Sequence, residues 1–168
     1  IIDLCTGSGC IALALAQHWP DSEVIGGDLS PQALEWARKN GLQYGPDVLW
    51  MSLDVIQGTS MPDGKFDLII SNPPYVPHSD QAEMSVHVLD MEPSMALFVP
   101  DDRALVYYEA IAEWATQHLS LGGWLYFEIH HQKGELLVDW LKKKGFAQVG
   151  CVKDRYLKDR IIRAKWMN

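Results

Sequence analysis

The sequence predicts one α/β domain built on a mostly parallel sheet, and three observations indicate it. Short apolar runs alternate with amphipathic stretches, the pattern of βαβ units. A glycine loop directly follows the first apolar run, as at the strand-to-helix turns of such folds. The chain has 168 residues, 48% of them apolar, which suffices for one hydrophobic core. We therefore expect a single domain over residues 1–168.

Seven short apolar runs are predicted as strands. In chain order they cover residues 1–4, 22–27, 48–51, 66–70, 124–129, 146–152 and 161–166. The first begins in what looks like a strand interior, without a polar lead-in or an initiator Met, so we expect an excised domain. The last two runs are expected to pair antiparallel.

Four amphipathic stretches are predicted as helices. They cover residues 10–18, 31–40, 102–118 and 133–144. Pro20 and Asp21 should end the first, because proline cannot continue a helix. Ser30 and Pro31 combine a helix cap with proline at the first helical position, and Gly41 is expected to end the second helix.

A long irregular stretch is predicted after the fourth strand. The two prolines of Asn72-Pro73-Pro74-Tyr75 prevent strand or helix from continuing. Residues 76–101 carry no clear periodicity, and loops of that length in a compact domain are usually functional or partly mobile.

Composition and charge exclude several function classes. The net charge of −8 disfavours tight, sequence-independent binding to nucleic acid, which depends on phosphate neutralisation. No apolar run reaches 18 residues and no charged-then-apolar leader is present, so we expect a cytoplasmic protein without a membrane span. Cys5, Cys10 and Cys151 are odd in number and lack metal-type spacing, so neither disulfides nor zinc are expected.

The glycine loop is the strongest local signal. Gly7 and Gly9 let the backbone approach a ligand where a Cβ would collide, and the following helix offers unpaired N–H groups. The loop is not a P-loop, because the Gly-Lys-Ser/Thr ending is absent. It is not a complete G-x-G-x-x-G either, because Cys5 occupies the first glycine position. A triphosphate is therefore a poor candidate ligand.

An acid follows the loop at the spacing of adenosine-binding sites. Asp28 lies 19 residues after Gly9, at the end of the second strand, where it can accept hydrogen bonds from both ribose hydroxyls. The alternative is that Asp28 only caps the next helix. Asp54 could reach the adenine amine, with Val55 and Leu29 flanking the ring, although an acid in a surface turn would look the same.

The Asn72-Pro73-Pro74-Tyr75 segment suits chemistry on a planar –NH2 group. The Asn72 side-chain oxygen and the Pro73 carbonyl can each accept one N–H, and the prolines hold these acceptors in place. Tyr75 offers a face for stacking. The electrophile that fits a glycine loop, a ribose acid and an –NH2 acceptor is the methyl group of S-adenosyl-L-methionine, with no metal required. The alternative is a rigid Pro-Pro turn capped by Asn72.

These segments resemble the class I S-adenosylmethionine-dependent methyltransferases that carry an N-P-P-Y motif. They are most similar to the HemK/PrmC-type family, which methylates a glutamine in peptide-chain release factors. The resemblance covers nearly the whole chain. The matching pieces are residues 3–13, 28–34 and 66–76, Glu92-Pro93 with residues 96–98, and the ending from Lys153-Asp154 to Asp159-Arg160.

The resemblance implies a Rossmann-like, seven-stranded, mostly parallel sheet with helices on both faces and an antiparallel last strand. It implies that S-adenosyl-L-methionine, or its product S-adenosyl-L-homocysteine, binds at Asp28 and at the loop formed by Cys5, Thr6, Gly7, Ser8 and Gly9. Asn72, which also borders the cofactor, would act with Pro73, Pro74 and Tyr75 on the substrate glutamine of a release factor. Family members usually carry a small helical domain before this one, which is absent from this sequence.

Two other substrates stay open. Glutamine methylation of a ribosomal protein is one, because that branch of the family is similar at Cys5. Methylation of an exocyclic amine of a nucleic-acid base is the other, and the acidic charge and the lack of an inserted target-recognition region count against it. We expect a monomer without stable binding to nucleic acid.

Overall fold

The computed structural model describes residues 1–77, 98–99 and 103–168. The strands are β1 (Ile2–Leu4), β2 (Ile25–Asp28), β3 (Leu49–Ser52), β4 (Phe66–Ser71), β5 (Val76–Pro77), β6 (Phe98–Val99), β7 (Leu119–Glu128), β8 (Ala147–Lys153) and β9 (Asp159–Lys165). The helices are α1 (Cys10–His18), α2 (Pro31–Tyr44), α3 (Val106–His118) and α4 (Gly134–Lys143).

Seven strands form one sheet in the order β3-β2-β1-β4-β7-β9-β8. The first five strands in this order, β3-β2-β1-β4-β7, are parallel to one another. β9 pairs antiparallel with both β7 and β8. The predicted fold class, a mostly parallel Rossmann-like sheet with an antiparallel last strand, is therefore confirmed.

Helices cover both faces of the sheet. Ile2 and Leu4 are fully buried in the main core, which also contains residues of α3 and α4. Side chains alternate between the faces of a strand, so Asp3, between them, points to the opposite face. There its carboxylate accepts a hydrogen bond from the backbone N–H of Ala12 in α1. A smaller cluster of Ala12, Ala16 and Val24 packs on that side.

The prediction that Gly41 ends the second helix is wrong. α2 continues to Tyr44, and the N–H of Gly45 bonds to the carbonyl of Gly41. A Cβ built at Gly41 would lie 3.6 Å from the ring of Trp50, an ordinary contact distance. The sequence pattern could not show that Gly41 faces Trp50 of β3, where the helix continues against the sheet.

The stretch predicted as irregular contains a short parallel pairing of β5 with β6. The rest of that stretch, including Glu92-Pro93 and residues 96–97, lies outside the described residues. The third helix begins at Val106 rather than at residue 102, after a turn over residues 103–105. β7 begins at Leu119, before the predicted start, and its pairing with β4 shifts register around Gly122, whose φ is +83°.

Within the part of the chain that the structure describes, no helix is both long enough and apolar enough to cross a membrane.

Candidate functional site

Three predicted site segments meet at the carboxyl edge of the sheet. Leu4, the last residue of β1, pairs with Gly27 of β2 on one side and with Ser71 of β4 on the other. The glycine loop, Asp28 and Asn72 directly follow these three positions. Open α/β sheets bind ligands at this edge, where the strand order reverses. The sheet therefore brings the predicted cofactor and substrate residues together.

The glycine loop has a tightly curled backbone. Gly7 and Gly9 have φ values of +56° and +83°, and Cys5 also takes a positive φ, +59°. This conformation costs a residue with a side chain about 1–2 kcal/mol. Cys5 thus keeps the conformation expected of the glycine it replaces. The N–H of Thr6 bonds to the carbonyl of Gly27 at 3.0 Å, which fastens the loop to β2.

The two glycines serve different purposes. A Cβ at Gly9 would lie 2.6 Å from the Trp50 ring, so Gly9 is required by packing between loop and sheet. A Cβ at Gly7 would meet nothing within 4 Å. Gly7 therefore borders open space, which fits a position where a ligand approaches the backbone.

Asp28 connects the glycine loop to the start of α2. Its Oδ2 accepts a hydrogen bond from the N–H of Gly7, and its Oδ1 accepts one from the N–H of Ser30, both at 2.9 Å. The side chain of Ser30, not that of Asp28, caps α2 through the N–H of Ala33. Each carboxylate oxygen keeps a further lone pair, so Asp28 can still accept bonds from ribose hydroxyls.

Asp3 is a site residue that the sequence reasoning missed. It is fully buried, and its Oδ2 accepts hydrogen bonds from the Thr6 hydroxyl at 2.5 Å and the Ala12 N–H at 3.2 Å. Burial, reinforced by the charge of Asp28, raises the pKa of Asp3 to about 7. Its Oδ1 has no hydrogen-bond partner in the described residues. One sequence signal could have identified Asp3: it is an acidic residue within an apolar strand that leads directly into the glycine loop.

Asp54 forms a tight turn after β3. Its Oδ1 accepts bonds from the N–H groups of Ile56 at 2.8 Å and Gln57 at 3.0 Å. These contacts suit the surface-turn alternative and leave Oδ2 available to a ligand. Val55 is only 8% exposed and belongs to the core, whereas Leu29 is 47% exposed. Of the two predicted ring-flanking side chains, Leu29 is therefore the more accessible.

Tyr107 of α3 is a second residue that the sequence reasoning missed. Its pKa is raised by burial and then by the nearby groups of Cys5, Asp54 and Asp28. The Tyr107 side chain is partly buried against the main core, and its hydroxyl is within electrostatic range of these cofactor residues. No local motif marks it, because α3 reaches this edge only through packing on the sheet.

The Asn72-Pro73-Pro74-Tyr75 segment combines buried prolines with an exposed amide. Pro73 and Pro74 are buried, Tyr75 is half-buried, and the Asn72 side chain is exposed. No hydrogen bond to the Asn72 side chain is found among the described residues. Ser71, just before it, donates its hydroxyl to the carbonyl of Leu4 at 2.6 Å. The segment therefore presents an available amide beside the glycine loop.

The chemistry of nearby groups excludes Cys5 as a nucleophile at neutral pH. Burial and the charge of Asp28 raise the pKa of its thiol, which stays protonated.

The neighbouring His130 and His131 do not form part of a metal site with other described residues. Their ring centroids lie 4.5 Å apart, yet the described residues contain no group of three or more side chains suited to a metal ion.

A cavity of about 1390 Å³ lies away from the candidate site, at the amino ends of β1 to β4. None of the predicted site residues lines it.

The strand order, the glycine loop after β1 and the acid at the end of β2 define a class I methyltransferase fold. The sequence profile described as "Methyltransferase domain" matches residues 1–92, and the chain belongs to this family.

Curated relatives confirm the resemblance predicted from the motifs. The chain is 40% identical over 164 residues to a "Release factor glutamine methyltransferase" of Bacteroides thetaiotaomicron, covering 98% of this chain and 59% of the relative. It is also 40% identical over 166 residues to the protein of the same name in Flavobacterium psychrophilum, covering 99% and 58%. The chain thus spans less than two thirds of the length of these relatives.

A solved structure shows the same fold. The methyltransferase from Pyrococcus furiosus superposes with a TM-score of 0.72, at 17% identity, over 99% of this chain and 74% of that one.

Proposed function

We propose that this chain is a single catalytic domain, residues 1–168, that transfers a methyl group from S-adenosyl-L-methionine to a glutamine side chain of a peptide-chain release factor. The observation that carries the proposal is the pairing of Leu4 with both Gly27 and Ser71. This pairing places the glycine loop, Asp28 and the exposed Asn72 amide at one edge. The 40% identity to relatives named for this reaction supports the choice of substrate.

The cofactor residues fit S-adenosyl-L-methionine. The loop from Cys5 to Gly9 borders open space at Gly7, and Asp28 retains lone pairs for the two ribose hydroxyls. In this proposal Asp54 accepts a hydrogen bond from the adenine amine, and Leu29 and Val55 flank the ring, with Leu29 the more exposed of the two. When bound, S-adenosyl-L-methionine supplies an electrophilic methyl group. Asn72 lies where the cofactor and substrate parts of the site meet.

The substrate residues orient a weak nucleophile. An amide nitrogen reacts poorly because its lone pair is delocalised into the carbonyl. Asn72 Oδ1 and the Pro73 carbonyl accept its two N–H groups, and Tyr75 stacks on the amide plane, with Pro74 completing the rigid turn. Fixing the nitrogen in this way can contribute several kcal/mol to lowering the barrier. After transfer, the nitrogen releases one proton to solvent, to which Asn72 is exposed.

The setting implied is translation termination in the cytoplasm, with a monomeric enzyme and no stable binding to nucleic acid. The net charge of −8 supports a protein substrate over a nucleic-acid base. A ribosomal protein is the second candidate substrate, and a base amine the third.

Two experiments test the proposal. Calorimetry should show binding of S-adenosyl-L-methionine and S-adenosyl-L-homocysteine, but not of NAD. Labelled cofactor should then be incubated with the chain and a release factor, a ribosomal protein or an oligonucleotide, and the modified residue located by mass spectrometry. We expect label on one release-factor glutamine, lost when that glutamine is replaced by glutamate. Label only on the oligonucleotide would establish base methylation instead.

A further inference from the structure

Glu128 contacts the substrate segment from a different strand. It is the last residue of β7, and its Oε1 lies 3.4 Å from the hydroxyl of Tyr75, which donates a hydrogen bond to it. The distance exceeds the roughly 2.5–3.0 Å usual for an O–H···O bond, as hydrogen bonds in sites without bound substrate often do. Glu128 thus reaches the ring proposed to stack on the substrate amide.

The backbone of Glu128 is held by the core. Its carbonyl accepts the hydroxyl of the fully buried Tyr108 at 3.1 Å. The following residue, Ile129, donates its N–H to the carbonyl of Arg160 in β9 at 2.8 Å. The carboxylate therefore projects from a rigid position.

The side chain of Glu128 is also held by charge. Arg160 Nη1 lies 4.0 Å from Glu128 Oε1, while Nη2 of the same guanidinium lies 3.3 Å from Asp154 Oδ2. The other oxygen of Asp154 accepts the N–H groups of Tyr156 at 2.8 Å and Lys158 at 3.1 Å. A chain of polar contacts therefore runs from the turn between β8 and β9 to the ring of Tyr75.

We propose that Glu128 is a positioning residue that fixes the ring plane of Tyr75 by accepting its hydroxyl, with Arg160 holding the carboxylate. The inference rests on the proposed function, since the ring's role is to stack on the substrate amide. Pro73 and Pro74 fix the backbone before Tyr75, and its ring packs against the main core and beside the ring of His130. The hydrogen bond to Glu128 adds a polar constraint at the far end of the ring.

The ionisation states suit this arrangement. Burial and the neighbouring Glu128 raise the pKa of Tyr75 above its ordinary value. The hydroxyl therefore remains a donor at neutral pH. Arg160 balances the negative charge of Glu128, which is partly exposed.

Kinetics of a double-mutant cycle test the inference. In single-turnover assays with a release factor, Glu128→Ala and Tyr75→Phe should each slow methyl transfer by about tenfold, because both free the ring. The double variant should be no slower than Glu128→Ala alone, since both remove the same bond. Cofactor affinity should stay unchanged, and Glu128→Gln, which keeps an acceptor, should recover part of the rate. Multiplicative effects in the double variant would overturn the inference.

The exposed Arg155 in the same turn provides a matched control, because its guanidinium lies over Tyr156 and does not contact Glu128. Arg155→Ala should transfer methyl at the parental rate. An equal loss in this variant would show that the turn acts through general stability, against the inference.

A measurement independent of activity separates this inference from the proposed function. The ¹³Cζ resonance of labelled Tyr75, assigned by its loss in Tyr75→Phe, should move in Glu128→Ala and stay in place in Arg155→Ala. A resonance that does not respond to Glu128→Ala refutes the positioning role. A resonance that responds, in an enzyme that methylates no release factor, refutes the proposed substrate only.

Discussion

The cofactor half and the substrate half of the site are held in different ways. In the cofactor half, Asp28 bonds to Gly7 and Ser30, and Asp3 bonds to Thr6 and Ala12. In the substrate half, the prolines are buried but the Asn72 side chain makes no hydrogen bond within the described residues.

This difference reflects two tasks: one half of the site binds the cofactor, and the other half orients the substrate amide. A cofactor needs a surface that is already shaped, which the buried Asp3, the half-buried Asp28 and backbone N–H groups provide. A substrate amide needs unused acceptors, so the polar group of Asn72 must stay unpaired until the substrate arrives. We therefore expect changes in the two halves to affect different measured quantities.

The largest effect is expected in the substrate half. Asn72→Ala removes an acceptor that orients the attacking nitrogen, so turnover should fall by about a hundredfold or more while cofactor affinity changes little. Asn72→Asp keeps an acceptor and should be partly active. Single-turnover methyl transfer to a release factor measures both. If Asn72→Ala transferred methyl at the parental rate, the Asn72-Pro73-Pro74-Tyr75 segment would be only a structural turn. The two halves of the site would then not differ in the way described.

The next effect is on stability, and it comes from the packing of the glycine loop against the sheet. Gly9→Ala should lower the free energy of unfolding by about 2–3 kcal/mol, because the new methyl group meets the Trp50 ring and the φ of +83° disfavours a side chain. Gly58→Ala is the control, with a φ of +67° and nothing within 4 Å. Urea unfolding should show a smaller loss for Gly58→Ala. Equal losses would mean that backbone conformation alone requires Gly9.

A selective loss of cofactor affinity is expected from Asp28→Ala. Removing a charged acceptor of the ribose hydroxyls should weaken cofactor binding by about 1.5–3 kcal/mol, measured by calorimetry. Asp21→Ala, an exposed acid outside the site, should bind normally. Unchanged affinity in Asp28→Ala would show that Asp28 serves only its internal bonds to Gly7 and Ser30.

The fourth effect concerns stability as a function of pH, and it depends on Asp3. Between its ordinary pKa of 3.8 and its folded value of about 7, the unfolded chain loses this proton while the folded chain keeps it. Stability therefore falls as pH rises through this window and levels off above it. Asp3→Asn should abolish a decline of about 3 kcal/mol, seen by thermal or urea unfolding at pH 4 and pH 7.

The exposed Asp63 supplies the control for this measurement. Asp63→Asn should retain the pH dependence of the parent. If Asp3→Asn also retained it, Asp3 would be ionised in the folded protein, and the cofactor half would hold a buried charge instead of a proton.

Local signals predicted much of the fold. Helix α1 was predicted with its observed bounds, residues 10–18, and the start of α2 followed from Ser30 and Pro31. These features depend on apolar spacing, caps and proline, all of which act within a few residues. The predicted end of α2 was wrong, because the surroundings of Gly41 are set by Trp50, which belongs to strand β3 and not to the neighbouring sequence.

By itself, the sequence determined the class of the sheet, the glycine loop and the segments to be brought together, because each is encoded by neighbouring residues. Only the tertiary structure decided that Leu4 lies between Gly27 and Ser71. It also revealed Asp3 and Tyr107 beside the cofactor residues and Glu128 behind Tyr75. The physical reason is that burial, charge proximity and hydrogen bonds between distant strands depend on strand order and register, which no short stretch of sequence specifies.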